Sequence, residues 1–219
     1  MGKSKKVFTK DFGGYQVQAN DEQGINGTIQ EGLQERLEYM LDQCSKVTVV
    51  CLTVSMPDDA NKDNFGKDIG GSMNVLRKTM NNNNIQTQGV WVRETAPGSN
   101  RGQDHAHMVI MADGQRIQNG FGVAAQLNKL VTSRLGVSAD AKYVHCDIPD
   151  AETYDRQDQR SKKSLSAITI RKNEPGAEEQ VANALNWVSY RAKLDTKAEG
   201  VRSFGFSHIP PNCTRKPEK

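Results

Sequence analysis

Gly89-Val90-Trp91-Val92-Arg93-Glu94 and Asp104-His105-Ala106-His107-Met108-Val109-Ile110-Met111 are two strand-like runs flanking the turn formers Pro97-Gly98-Ser99-Asn100-Arg101-Gly102. Two such runs joined by a short, turn-rich connection predict a β-hairpin. Side chains alternate between the faces of a strand. His105, His107, Val109 and Met111 therefore share one face, and Gln88, Val90, Val92 and Glu94 share one face of the other strand. If the pairing aligns those faces, Glu94, His105 and His107 meet as one carboxylate and two imidazoles. That set suits a divalent cation and leaves positions open for water or a phosphate oxygen. Mg²⁺ or Mn²⁺ is the expected occupant for phosphate chemistry. Asp104 is a weaker ligand candidate, because its side chain falls on the opposite face.

Working outward, Thr28-Ile29-Gln30-Glu31 has capping-box spacing, and Ile29, Leu33, Leu37, Met40 and Leu41 follow at helical period. Val47 to Val54 is apolar on both faces and reads as a buried central strand. A helix is expected from about Asp63 to Met80, weakened by Gly70-Gly71. Further on come a helix from about Phe121 to Leu135, a strand from about Ala141 to Asp147, a polar excursion through Arg160 and a strand from Leu165 to Arg171. The last helix is expected from Glu178 to Leu194. Val181, Leu185, Val188 and Ala192 form its main core stripe, and Trp187, Tyr190 and Leu194 a narrower second one. Strands and helices that interleave around a hairpin predict an α+β fold, an antiparallel-rich sheet with flanking helices. The expected division is a flexible basic arm over residues 1–27, one domain over residues 28–208 and a tail over residues 209–219.

The chain has 219 residues, with 36% hydrophobic and 6% aromatic residues, enough for one packed domain. No apolar run is long enough for a membrane span, and no apolar signal core follows the basic start Met1-Gly2-Lys3-Ser4-Lys5-Lys6. A cytoplasmic protein without a membrane partner is expected. Net charge is only +3, but lysine and arginine concentrate at the start, between Arg156 and Lys172, and after Arg191. Lys162, Lys163, Arg171, Arg191 and Arg202 are the candidate phosphate contacts. The four cysteines are scattered, which argues against a disulfide framework or a four-cysteine zinc site. His145-Cys146-Asp147 reads as a strand end rather than a second metal site.

Among five tyrosines, Tyr190 alone combines a helical context with a lysine one turn later, Lys193. Ordinarily a helical tyrosine beside a tryptophan is core. Beside a metal-binding strand it becomes a candidate nucleophile, with Lys193 placed to hold phosphate charge and to favour the phenolate.

His105-Ala106-His107-Met108-Val109 resembles the His-hydrophobic-His motif of the HUH endonucleases, which include rolling-circle replication initiators. Tyr190-Arg191-Ala192-Lys193 looks like their tyrosine motif, and Val50-Cys51-Leu52-Thr53 resembles the apolar-threonine strand that precedes the metal motif. All three stand in the family's order. Trp91-Val92-Arg93-Glu94 and Arg202-Ser203-Phe204-Gly205-Phe206-Ser207 are similar to segments of the initiators of filamentous phages and integrated phage-like elements. The resemblance spans roughly Val47 to Ser207. Ala106 is smaller than the family's usual residue, and one candidate tyrosine stands where some members carry a pair.

The resemblance implies a five-stranded antiparallel sheet, a metal site on two central strands and a 5′-phosphotyrosine intermediate that leaves a free 3′-OH. The expected function is nicking and joining of single-stranded or hairpin DNA at a replication origin, with a host polymerase and helicase as partners. No Walker motif is present, so the helicase is expected elsewhere. Alternatives are a relaxase, a nickase aimed at another genome, a non-catalytic single-strand nucleic-acid binder, and a structural protein with incidental histidines.

Overall fold

A computed structural model describes residues 6–18, 24–58, 60–95, 104–149, 166–194 and 203–210. Three short strands, β1 (Lys6–Val7), β2 (Asp11–Phe12) and β3 (Tyr15–Gln16), precede β4 (Ile25–Asn26) and helix α1 (Gly27–Gln43). Then follow β5 (Lys46–Ser55), α2 (Lys62–Asn82), β6 (Thr87–Glu94), β7 (His105–Asp113), α3 (Gly120–Leu135), β8 (Val144–Cys146), β9 (Ile168–Arg171), α4 (Ala177–Ser189) and β10 (Phe204–Phe206). A single 3-10 turn, Tyr190–Ala192, directly follows α4.

The main sheet has six strands, and every pairing in it is antiparallel. Its order is β10-β6-β7-β5, and the outer edge of β5 is shared by β8 and β9. β8 pairs with the Leu52–Val54 end of β5, and β9 with the Lys46–Val49 end. Six strands thus fill five positions, and the expected α+β antiparallel sheet is present.

Helices cover both faces. Phe65, Ile69, Met73 and Leu76 of α2 and Leu127 and Val131 of α3 pack on Leu52, Trp91, Met108 and Ile110. Ile29, Leu33, Leu37 and Met40 of α1, with Leu185 and Val188 of α4, pack on Val47, Val49, Val90, Val92, Val109 and Met111. Each large apolar side chain buried in these layers contributes about 1.5–3 kcal/mol. β6 and β7 are therefore held from both sides, and a slip of one residue would turn both apolar faces inside out.

Three details differ from the sequence expectation. The N-cap of α1 is Asn26, whose side chain accepts from the Thr28 and Ile29 amides, so the expected capping box does not form. Gly70 and Gly71 do not interrupt α2. They let it approach the sheet and α3, because a Cβ at Gly70 would lie 3.0 Å from Trp91 Nε1 and one at Gly71 2.6 Å from Arg134 Nη1. The expected arm over residues 1–27 is partly folded. Val17 and Ile25 are buried in the core, and the Gln18 amide donates to Ser189 Oγ at 2.7 Å. Sparse apolar residues spaced along a polar segment carry no period, which hides such docking from sequence reading.

Candidate metal centre and its neighbours

The site begins where an apolar ladder ends. On the face covered by α1 and α4, Val90 and Val92 lead to Glu94, Met111 and Val109 lead to His107 and His105, and Val49 and Cys51 lead to Thr53 and Ser55. The register places Glu94 opposite His105, Val92 opposite His107, and His107 opposite Thr53. Strand alternation alone thus turns a core face into a polar one at one end of the sheet.

Glu94 Oε2 lies 3.5 Å from His105 Nε2 and 3.6 Å from His107 Nε2. One ligand atom from each of the three residues lies within 4.8 Å of the others. Ligands bound at about 2.0–2.2 Å on one face of an ion sit about 3 Å apart, so the two glutamate–histidine separations need only a small contraction. The Glu94 side chain is 6% exposed and that of His107 10%, whereas His105 is 25% exposed. The group is closed from below and open at His105. These residues fit a divalent cation and form a buried Glu/His/His group that can bind one.

Burial pushes the His107 pKa below its ordinary value. The hydrogen bond and charge of Glu94 oppose that shift, Arg191 adds to it, and Asp147 opposes it. The outcome favours a neutral imidazole, the form that ligates metal. The three described thiols are held in the protonated form, which is a poor nucleophile. Burial raises Cys51 to about 12 and Cys44 and Cys146 to about 11.

Tyr190 stands beside this group. Its ring centroid is 6.4 Å from that of His107, edge-on, and the residue is 41% exposed. It belongs to the 3-10 turn rather than to α4, which ends at Ser189, short of the expected Leu194. Lys193 Nζ lies 4.0 Å from the centroid of the Tyr190 ring, so the ammonium covers the ring face. The backbone of Lys193 is bridged to Ile25, and Gln18 Nε2 donates to Asn186 Oδ1 at 3.1 Å. Part of the segment expected to be a flexible arm therefore buttresses the tyrosine turn.

Of the candidate phosphate contacts, the two among the described residues stand apart. Arg191 is buried, donates to the Trp187 carbonyl at 2.9 Å and pairs with Asp147 at 2.6 Å. It braces the site from inside rather than facing solvent. Arg171 is exposed but pairs with Glu174 and stands opposite Lys46, at the far end of β5 from Thr53. Strand rise puts it roughly 20 Å from the metal group. Lys162, Lys163 and Arg202 lie outside the described residues.

Asp104 pairs with Arg93 on the opposite face, as alternation requires. β8 ends at Cys146, in keeping with the strand-end reading of His145-Cys146-Asp147. Two residues that the sequence reading left out of the site are part of it. Thr53 Oγ1 lies 3.0 Å from His107 Nδ1 and donates to Asp147 Oδ1 at 2.8 Å. The parity of Thr53 on β5 was visible in the sequence. Asp147 gave no such signal, because its place depends on how β8 pairs. Among the described residues no helix is long and apolar enough to cross a membrane. Comparisons with family models, curated proteins and solved structures find no match to this chain.

Proposed function

We propose that the protein is a metal-dependent nicking and joining enzyme for single-stranded DNA, with Tyr190 as nucleophile, and that it starts rolling-circle replication. One observation carries the reading: an exposed tyrosine ring stands 6.4 Å from a buried histidine of a Glu/His/His group. Glu94, His105 and His107 would hold the ion, Mg²⁺ or Mn²⁺. When bound, it supplies Lewis-acid polarisation of a non-bridging phosphate oxygen. Tyr190 attacks phosphorus through its phenol oxygen, whose proton passes to solvent. The P–O3′ bond breaks, the 3′ oxygen takes up a proton, and the 5′ phosphate remains on the tyrosine. Lys193 holds the ring and places positive charge over it. The reverse reaction joins strands, with a 3′-OH as the attacking group. The cytoplasm, a host polymerase and a helicase are the setting this reading requires.

The substrate is single-stranded or hairpin-extruded, because a tyrosine on a short turn must reach the phosphate opposite the metal-binding face. The test is incubation of the protein with Mn²⁺ and single-stranded DNA, followed by a denaturing gel and mass spectrometry of the DNA-linked peptide. An adduct at Tyr190 on the 5′ side of the nick is expected, and Tyr190→Phe should abolish it. Binding without any adduct, whichever divalent ion is supplied, would instead make the protein a non-catalytic single-strand binder.

A further inference from the structure

Four side chains link the tyrosine turn to the metal group. Arg191, next in the chain to Tyr190, donates through Nη2 to Asp147 Oδ2 at 2.6 Å. Asp147 accepts through its other oxygen from Thr53 Oγ1 at 2.8 Å, and Thr53 Oγ1 is 3.0 Å from His107 Nδ1. Proton counting then gives the direction of the last contact for a metal-ligating His107, whose Nε2, facing Glu94, would give its lone pair to the ion. A carboxylate paired with a guanidinium accepts only, so Thr53 must spend its single hydroxyl proton on Asp147. The hydroxyl oxygen then has only lone pairs to offer His107, and the imidazole must present Nδ1–H. Without an ion, the Glu94 carboxylate facing Nε2 competes for the same proton.

We propose that Thr53 and Asp147 are positioning residues that fix the tautomer and ring angle of His107 and, through Arg191, fix the turn bearing Tyr190. Removing the Thr53 hydroxyl frees the ring to turn and lets the other tautomer compete, which costs metal affinity. Removing the Asp147 charge also releases Arg191. Thr53 therefore acts on the metal alone, whereas Asp147 acts on the metal and on the nucleophile. The reference to a nucleophile rests on the nicking reading above; the tautomer does not.

The test uses protein labelled with ¹⁵N-histidine and saturated with Mg²⁺, which is diamagnetic. Long-range ¹H–¹⁵N spectra distinguish the two tautomers, and a chain with four histidines can be assigned by single substitutions. Wild-type His107 should show a protonated Nδ1, and Thr53→Val should show a mixture. Mn²⁺ titration by calorimetry should show about 10–100-fold weaker binding in Thr53→Val, the usual range for an outer partner of a ligand. Thr53→Ser should restore both readouts. Asp147→Asn should weaken metal binding similarly and slow adduct formation further than Thr53→Val does at saturating Mn²⁺. A protonated Nε2 in the wild-type protein, or unchanged Mn²⁺ affinity in folded Thr53→Val, overturns the proposal. The tautomer and the affinity are read without DNA. If they behave as expected while no adduct ever forms, the nicking reading falls and the positioning role stands.

Discussion

The two halves of the candidate site are held by different means. Glu94, His105 and His107 ride on β6 and β7, paired in register along their whole length and packed on both faces. Tyr190 rides on one 3-10 turn, held by a buried arginine, a lysine over its ring and contacts from the start of the chain. Backbone pairing of this extent fixes positions against thermal motion, whereas a turn held by side chains opens at lower cost. On the nicking reading proposed above, such a site would keep its metal ligands rigid and let the nucleophile move.

The largest effect is expected in the rigid half. His107→Ala removes a buried ligand and leaves Glu94 facing a gap. Mn²⁺ binding by calorimetry should fall by more than the ~100-fold upper range seen for outer partners, and adduct formation should vanish. The strands should stay paired, because their register rests on the apolar ladder below the site. Far-ultraviolet circular dichroism identical to wild type is therefore expected.

Next in size is the other face of the same strands. Asp104 is 8% exposed and pairs with Arg93, which is 6% exposed. Asp104→Ala leaves a buried cation without its partner and should cost about 3–5 kcal/mol in urea unfolding. Metal affinity of the folded variant should change far less, since the side chain points away from His105. A loss of affinity as large as that of His107→Ala would show that the two faces are not independent.

The same contrast explains what was legible in the sequence. Glu94, His105 and His107 could be read because alternation with period two converts directly into a shared face, and Val47 to Val54 because a strand covered on both sides is apolar throughout. The α+β class followed from the order of such runs. Tyr190 was legible as a residue but not as a geometry, because α4 stops at Ser189 and helical period does not foretell a change to a 3-10 turn. The expectation that Arg191 contacts phosphate came from its charge, whereas Asp147, forty-four positions earlier in the chain, holds it inside. Long-range ion pairs carry no local sequence signal. The docking of Gln18 on Ser189 and of Ile25 on Lys193 was hidden for the same reason.

Cys51 marks the seam between the apolar and polar parts of the site face, and its effect is intermediate. Burial raises its thiol from 9.0 to about 12. A group whose folded pKa is raised contributes stability that is complete below the unfolded value and is lost as pH rises toward the folded one. At pH 10.5 the unfolded chain ionises this thiol and the folded chain does not, which amounts to about 2 kcal/mol. Cys51→Val keeps a similar volume and removes the proton. Its stability relative to wild type, from urea unfolding, should therefore improve by about that amount between pH 7.5 and pH 10.5. An unchanged difference would mean that the seam is wet.

The smallest effect belongs to Lys193, and it separates two roles for one residue. Its spacing from Tyr190 suggests a cation that holds the phosphate, whereas the structure lays Nζ 4.0 Å from the centre of the tyrosine ring. A cation over an exposed aromatic face contributes about 0.5–1 kcal/mol. Lys193→Met should therefore cost less than about 1 kcal/mol in urea unfolding, since its chain still covers part of the ring. Single-turnover adduct formation should slow several-fold rather than stop, because metal and nucleophile both remain. Lys193→Arg should recover most of the rate, since a guanidinium also stacks on an aromatic face. If Lys193→Met forms no adduct while binding Mn²⁺ normally, and Lys193→Arg is equally inactive, the ammonium leaves the ring during the reaction and contacts the phosphate itself.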